Sequence, residues 1–190
     1  MKLGIFGGSF DPIHAGHLLA AQAAIEEIGL DRLFFVPAAQ SPFKPDKPAA
    51  PAPLRLRWLR LALAGANRYE VDDQELRRGG VSFAIATVRD YARRFPDATL
   101  FYLIGADHIQ TLQAWSEAME LAKRVEFAAI TRPGEGNVRF PEPFRGRTLK
   151  GFPFAISSSE IRARAKAGLS LEHMAPAAVA AAIADERPYG

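Results

Sequence analysis

Leu3-Gly4-Ile5-Phe6-Gly7-Gly8-Ser9-Phe10-Asp11-Pro12-Ile13-His14-Ala15-Gly16-His17 is the stretch whose reading decides the fold. Leu3 to Phe6 is a short apolar run of the kind that makes a buried strand, and glycines interrupt it too soon for a signal-peptide core. Gly7 and Gly8 leave no Cβ to hold a ligand away from the backbone. From Ala15 onward, Leu18, Leu19, Ala21, Ala24, Ile25 and Ile28 recur at helical spacing, which predicts a helix over 15–28 stopped by Gly29. A strand that runs through glycines into a helix start is a natural anion site, because free N–H groups and the helix dipole converge there. His14 and His17 are three apart and share a face of the first turn, where each imidazole can donate to a polyphosphate oxygen. Gly16 between them leaves room for a nucleotide.

Beyond this stretch, short apolar runs alternate with helical periods, the pattern of a parallel sheet wrapped by helices. Strands are predicted at 33–36, 100–104, 125–131 and 148–152, and helices at 54–64, from Ser82 to Phe95, at 115–123, through Ala167 and at 177–184. Prolines 37, 42, 45, 48, 51 and 53 exclude regular structure between them, so this is a long loop, and it reads as one that covers a substrate. A second irregular stretch over 133–147 follows the turn Arg132-Pro133-Gly134. The expectation is one α/β domain over residues 1–190.

With no cysteine there is neither a disulfide framework nor a thiolate metal site. The net charge of +3 suits a phosphorylated partner, but the arginines are scattered as on a solvated surface, which argues against a nucleic-acid-binding module. No apolar run is long enough for a membrane span. A cytoplasmic protein is expected. Paired histidines could also clamp zinc, yet the other two, His108 and His173, sit in unrelated segments and read as surface residues, so no protein-held metal is expected.

A second constellation is Ile156-Ser157-Ser158-Ser159-Glu160-Ile161-Arg162. Ser157 and Glu160 have capping-box spacing, which explains neither Ser158 nor Arg162 on one face of the same turn. Hydroxyl, open helix amides and guanidinium together would make a second phosphate cradle. The third piece, Gly105-Ala106-Asp107, follows the 100–104 strand, with Trp115 eight residues past Asp107. Ligands of open α/β sheets collect at such strand ends. Taken alone, Asp107 is equally a helix cap and Trp115 a core residue.

The first stretch resembles the HxGH signature of the nucleotidyltransferase superfamily, and Gly8–His17 most resembles the nicotinate and nicotinamide mononucleotide adenylyltransferases. Residues 156–162 are similar to that family's ISSTxIR motif, with Ser159 for threonine. Gly105–Asp107 with Trp115 resembles its adenosine-contacting GxD segment and ring-stacking tryptophan. Ser41-Pro42-Phe43-Lys44 sits at its PPHK-like loop, with Phe43 for histidine. Residues 82–87 resemble its nicotinate-binding SYTxxT segment, with Phe83 for tyrosine and Ala84 for the first threonine.

The resemblance implies a Rossmann-like doubly wound parallel sheet of nucleotidyltransferase type. It implies transfer of AMP from ATP to nicotinate mononucleotide, giving deamido-NAD and pyrophosphate, with Mg²⁺ brought by ATP. Small-molecule substrates are the implied partners, and a homo-oligomer is compatible with it. Carried over position by position, it makes His14, His17, Lys44 and Arg162 catalytic. Gly7, Gly8, Ser9, Phe10, His14, His17, Gly105, Asp107, Ile156, Ser157, Ser158 and Arg162 would bind ATP, and Phe83, Ala84, Thr87 and Trp115 the nicotinate nucleotide.

Overall fold

A computed structural model describes residues 1–43, 49–131, 139–152 and 155–190. Six parallel strands form one sheet in the order β3-β2-β1-β4-β5-β6. In the chain they run β1 (Lys2–Gly8), β2 (Arg32–Pro37), β3 (Tyr69–Val71), β4 (Thr99–Gly105), β5 (Glu126–Ile130) and β6 (Gly146–Leu149). This is the expected doubly wound architecture. The strand order reverses between β1 and β4, and at such a reversal the loops leaving the two strands diverge and open a crevice.

Both faces of the sheet are covered, which is why its strands read as continuous apolar runs rather than alternating ones. Leu33, Phe35, Phe101 and Leu103 meet α1 (Ala15–Ile28), α2 (Ala52–Ala62) and α7 (Ala177–Glu186) on one face. Leu3, Ile5, Phe34 and Val36 meet α4 (Ala84–Arg94) and α5 (Ala118–Arg124) on the other. Gly4 is needed for the first packing, since a Cβ there would meet the Leu30 and Leu33 side chains at 2.6 and 2.7 Å. Among the described residues, no helix is long and apolar enough to cross a membrane.

Several boundaries depart from expectation for local reasons. The proline-rich loop ends at Pro51, because a proline is tolerated in the first turn of a helix and Pro53 lies inside α2. The strand expected over 148–152 is β6, which stops at Leu149. The next amides, of Lys150 and Gly151, donate instead to the Glu27 carboxylate at 2.9 and 2.8 Å. The helix expected from Trp115 starts at Ala118, after a 3₁₀ segment over Ala106–Ala114, because Trp115 itself is extended. The turn Arg132-Pro133-Gly134 lies outside the described residues.

Neither β3 nor the short α3 (Gln74–Arg78) follows from apolar periodicity, because a buried carboxylate organises them. Asp72 accepts from Tyr91 Oη at 2.8 Å, Arg94 Nη1 at 2.6 Å, the Gln74 amide at 3.1 Å and Gln74 Nε2 at 3.0 Å. Burial works to raise its pKa, but these donors outweigh it and hold the carboxyl below its ordinary value. A depressed carboxyl contributes stability above its unfolded pKa and loses it as pH falls through the folded one. Asp72→Asn should therefore destabilise the protein by about 2 kcal/mol at neutral pH. In urea titrations that gap should shrink below about pH 4, the unfolded value. A gap that stays constant down to about pH 3 would show that the charge of Asp72 is not what matters.

Candidate active site

The loop after β1 passes out of the sheet without forming regular structure, so its buried carbonyls need donors. Arg55 provides one, and ties this loop to the segments after β2 and before α2. Its guanidinium, 2% exposed, donates from Nη1 to Ser9 O at 2.7 Å and Ala38 O at 2.8 Å, and from Nε to Ala50 O at 2.9 Å. Burial lowers its pKa, partly offset by the nearby Asp11 charge. The reading of the arginines as a solvated surface fails here: sequence alone does not reveal that this one is enclosed by two loops.

Phe10 takes a left-handed backbone conformation (φ 46°), unfavourable for a residue with a Cβ. Its buried ring is wedged among Phe6, Phe35 and His17 at centroid distances of 5.5, 5.5 and 5.1 Å. Its side chain therefore supports the loop from below, and only its backbone is placed to meet a ligand.

His14 and His17 do share a face, with ring centroids 3.8 Å apart. The His14 amide donates to His17 Nδ1 at 3.3 Å, so neutral His17 carries its proton on Nε2, on the far side of the ring. A Cβ on Gly16 would crowd the His14 ring at 3.0 Å and lie in ordinary contact with the Ile156 carbonyl at 3.5 Å, so Gly16 also makes room for the His14 ring. The Ala15 amide is already taken by Met174 O at 2.9 Å and the His17 amide by His14 O at 3.0 Å. Side-chain donors therefore matter more at this helix start than free amides do.

The two distant motifs are brought together. Ser157 caps α6 (Ser158–Lys166), its Oγ accepting from the Glu160 amide at 3.2 Å, so the capping half of that motif is real. Ser158 Oγ donates to Pro12 O at 3.0 Å, and Arg162 Nη1 to Asp11 O at 2.8 Å, while Arg162 Nη2 holds Ser159 Oγ at 3.0 Å. Two of the five guanidinium donors are thus spent on the loop and on Ser159, and the group remains about a third exposed.

A cavity of about 360 Å³ opens between the ends of β1 and β4, on the other side of the Gly7–Ser9 backbone from the histidines. A Cβ on Gly7 would collide with Tyr102 Oη, so glycine keeps this wall thin. Phe83 and Ala84, where α4 begins, line one side, and Trp115 the other. The Trp115 indole N–H is buried with no hydrogen-bond partner among the described residues. Asp107 is exposed and its carboxylate folds back over Gly105; it is not the cap of the 3₁₀ segment.

His108, read from sequence as a surface residue, lines this cavity, 5.0 Å from the Phe43 ring and 6.0 Å from Trp115. Its place directly after Asp107, at the mouth of β4, is the signal that could have found it. His173, by contrast, is exposed as expected. Thr87 is fully buried and does not face the cavity: its hydroxyl donates to Glu75 and accepts from Arg78 Nη2 at 3.3 Å. Glu75 itself reaches the cavity wall, and burial pushes its carboxyl upward despite hydrogen bonds from Thr87 and Ser82. Lys44 lies outside the described residues. Among those described, no group of three metal-ligating side chains occurs.

The arrangement is a donor-rich face of two imidazoles and a guanidinium, joined through a thin glycine wall to an aromatic cavity. Known proteins resemble the chain to different degrees. A family model described as cytidylyltransferase-like matches residues 5–164. A protein of Opitutus terrae named probable nicotinate-nucleotide adenylyltransferase is 44% identical over 179 residues, covering 93% of this chain and 91% of its own. One of the same name from Thermus thermophilus is 42% identical, covering 94% of each. The fold is shared by the Plasmodium falciparum nicotinic acid mononucleotide adenylyltransferase complexed with NaAD, at TM-score 0.78 and 19% identity, covering 99% of this chain and 97% of that one.

If the His14 amide fixes the His17 tautomer, nitrogen NMR of the ligand-free protein should show His17 protonated on Nε2. Titration with inorganic tripolyphosphate should then shift that nitrogen, and His17→Ala should weaken the binding. An Nδ1–H tautomer, or no response to the anion, would contradict the assignment.

Proposed function

Because the chain belongs to the cytidylyltransferase-like family, and within it to the nicotinate-nucleotide adenylyltransferases, we propose that its site transfers AMP from ATP to nicotinate mononucleotide. The products are deamido-NAD and pyrophosphate. The observation that carries this reading is the joining of His14, His17 and Arg162 on one face beside the aromatic cavity. One half suits a polyphosphate, the other a planar ring.

In the reaction, an oxygen of the mononucleotide phosphate attacks the α-phosphorus of ATP in line. The bond from that phosphorus to the α,β-bridging oxygen breaks, and its electron pair leaves with pyrophosphate. The nucleophile is already anionic, so no general base is needed. Catalysis then rests on positioning and on stabilising charge in the transition state. His17 Nε2–H and the His14 ring are the donors proposed for the transferred and leaving phosphates, with the remaining Arg162 donors on the outer phosphates. Lys44, outside the described residues, is proposed as a further phosphate contact.

Mg²⁺ is proposed to arrive with ATP and to neutralise phosphate charge. The donor set fits an ion carried by phosphate and water, since Asp11 is 6% exposed and its carboxylate is engaged by Ala50 and Tyr189. The cytosol, which holds both nucleotides, is the proposed compartment.

The acceptor ring is assigned to the cavity beside Trp115, with its substituent at the start of α4. Gly79 and Gly80, at φ 69° and 66°, turn the chain so that α4 begins at the cavity wall. Helix-start amides are donors, and Thr87 turns its own hydroxyl to Glu75, so this end is built for an acceptor group. A carboxylate fits; a carboxamide would set its NH₂ against donors.

The test is pyrophosphate release from ATP with a panel of phosphorylated acceptors. Nicotinate mononucleotide should give the highest kcat/KM and exceed the nicotinamide form by at least about tenfold, while His17→Ala should lose about a hundredfold in turnover. A ratio near one would refute the helix-start account, and no turnover with either mononucleotide would refute the function.

A further inference from the structure

Asp11 is the residue on which three distant parts of the chain converge. Its Oδ1 accepts from the Ala50 amide at 3.1 Å and from the Tyr189 hydroxyl at 2.9 Å. Its backbone carbonyl accepts from Arg162 Nη1, and that same nitrogen stands 3.7 Å from Oδ2. The last distance is an ion pair but not a hydrogen bond, so the Asp11 carboxylate attracts Arg162 without capturing it. Both oxygens of that carboxylate are thus placed by partners far away in sequence.

Tyr189 is delivered to this point by a docked helix. Glu186, at the end of α7, accepts from Trp58 Nε1 at 2.9 Å and pairs with Arg57. Arg187 then adopts a left-handed conformation (φ 44°) that turns the chain back, and the Tyr189 ring comes to rest 6.1 Å from Trp58. Burial and the Asp11 charge both push the Tyr189 phenol upward, so it remains a proton donor. Nothing in the chemistry of the cavity or of the histidine face uses this tyrosine directly.

We propose that Tyr189 is a positioning residue for adenylyl transfer, acting through Asp11. Its hydroxyl holds Oδ1 in the direction of Ala50, and so keeps the carboxylate from rotating onto the Arg162 guanidinium. Without that hydroxyl, Asp11 takes Arg162 into a close pair, and the guanidinium is drawn away from the phosphates it would otherwise hold. The loop carrying His14 shifts with the same side chain.

This inference rests on the adenylyl-transfer reading, and the two fail differently: absence of wild-type turnover sinks that reading, whereas the following comparison presumes turnover. Tyr189→Phe keeps every packing atom except the hydroxyl oxygen. Its kcat with ATP and nicotinate mononucleotide should fall about tenfold, with the KM for the mononucleotide unchanged. In an Asp11→Asn background, where the amide cannot capture Arg162 by charge, the same change should cost less than about twofold. A kcat for Tyr189→Phe within about twofold of wild type overturns the proposal, even if the melting temperature drops. So does an equal loss in the two backgrounds, which would mark Tyr189 as a structural contact only.

Discussion

Everything at this site depends on keeping an irregular loop in one conformation while its carbonyls are buried. The Arg55 guanidinium does this from outside the loop, tying Ser9 O to Ala38 O after β2 and Ala50 O before α2 at 2.7–2.9 Å. A lysine would not replace it, because one ammonium cannot span three acceptors in the plane that the guanidinium covers. Leaving the carbonyls unpaired would cost about 1–3 kcal/mol each, comparable to a sizeable part of the whole folding free energy. The loop is therefore fixed by the fold and does not wait for substrate to shape it.

From that constraint the two halves of the site follow. On one side of the glycine wall the held loop presents His14 and His17, with α6 locked beneath it through Ser158 and Arg162. On the other side the same backbone forms a wall of the cavity that ends at Trp115 and the start of α4. A Cβ on Gly7 would collide with Tyr102 Oη, so this wall is bare backbone. Charge complementarity then divides the labour. The imidazole and guanidinium donors belong to the loop and α6, while aromatic rings and the start of α4 line the cavity.

The sheet, the parallel sense of its strands and the ends of most helices were legible because they rest on period and on glycine and proline punctuation. Leu3–Phe6, Leu33–Val36 and Leu100–Ile104 are runs whose burial on both faces leaves an unambiguous mark. The meeting of Pro12 with Ser158, and of Asp11 with Arg162, was legible only as two motifs, since nothing local states that residues 146 apart touch. What could not be read is the set of buried charges. Arg55, Asp72 and Glu75 sit in stretches that look like solvated helix faces, and each is buried because a three-dimensional partner set satisfies it. His108 was misplaced for the same reason: a polar residue in a polar stretch gives no hint that Phe43 and Trp115 will close around it.

Preorganisation is the claim most exposed to measurement, and amide hydrogen exchange tests it directly. The amides of Ala15, bonded to Met174 O, of Ala38, bonded to Gly8 O, and of Ala50, bonded to Asp11 Oδ1, report on the loop from three sides. In the protein without nucleotide all three should already exchange slowly, and a non-hydrolysable ATP analogue should change their protection by less than about tenfold. Exchange at the rate of an unstructured chain without nucleotide, with protection appearing only on its addition, would show that substrate builds the loop and would contradict the account.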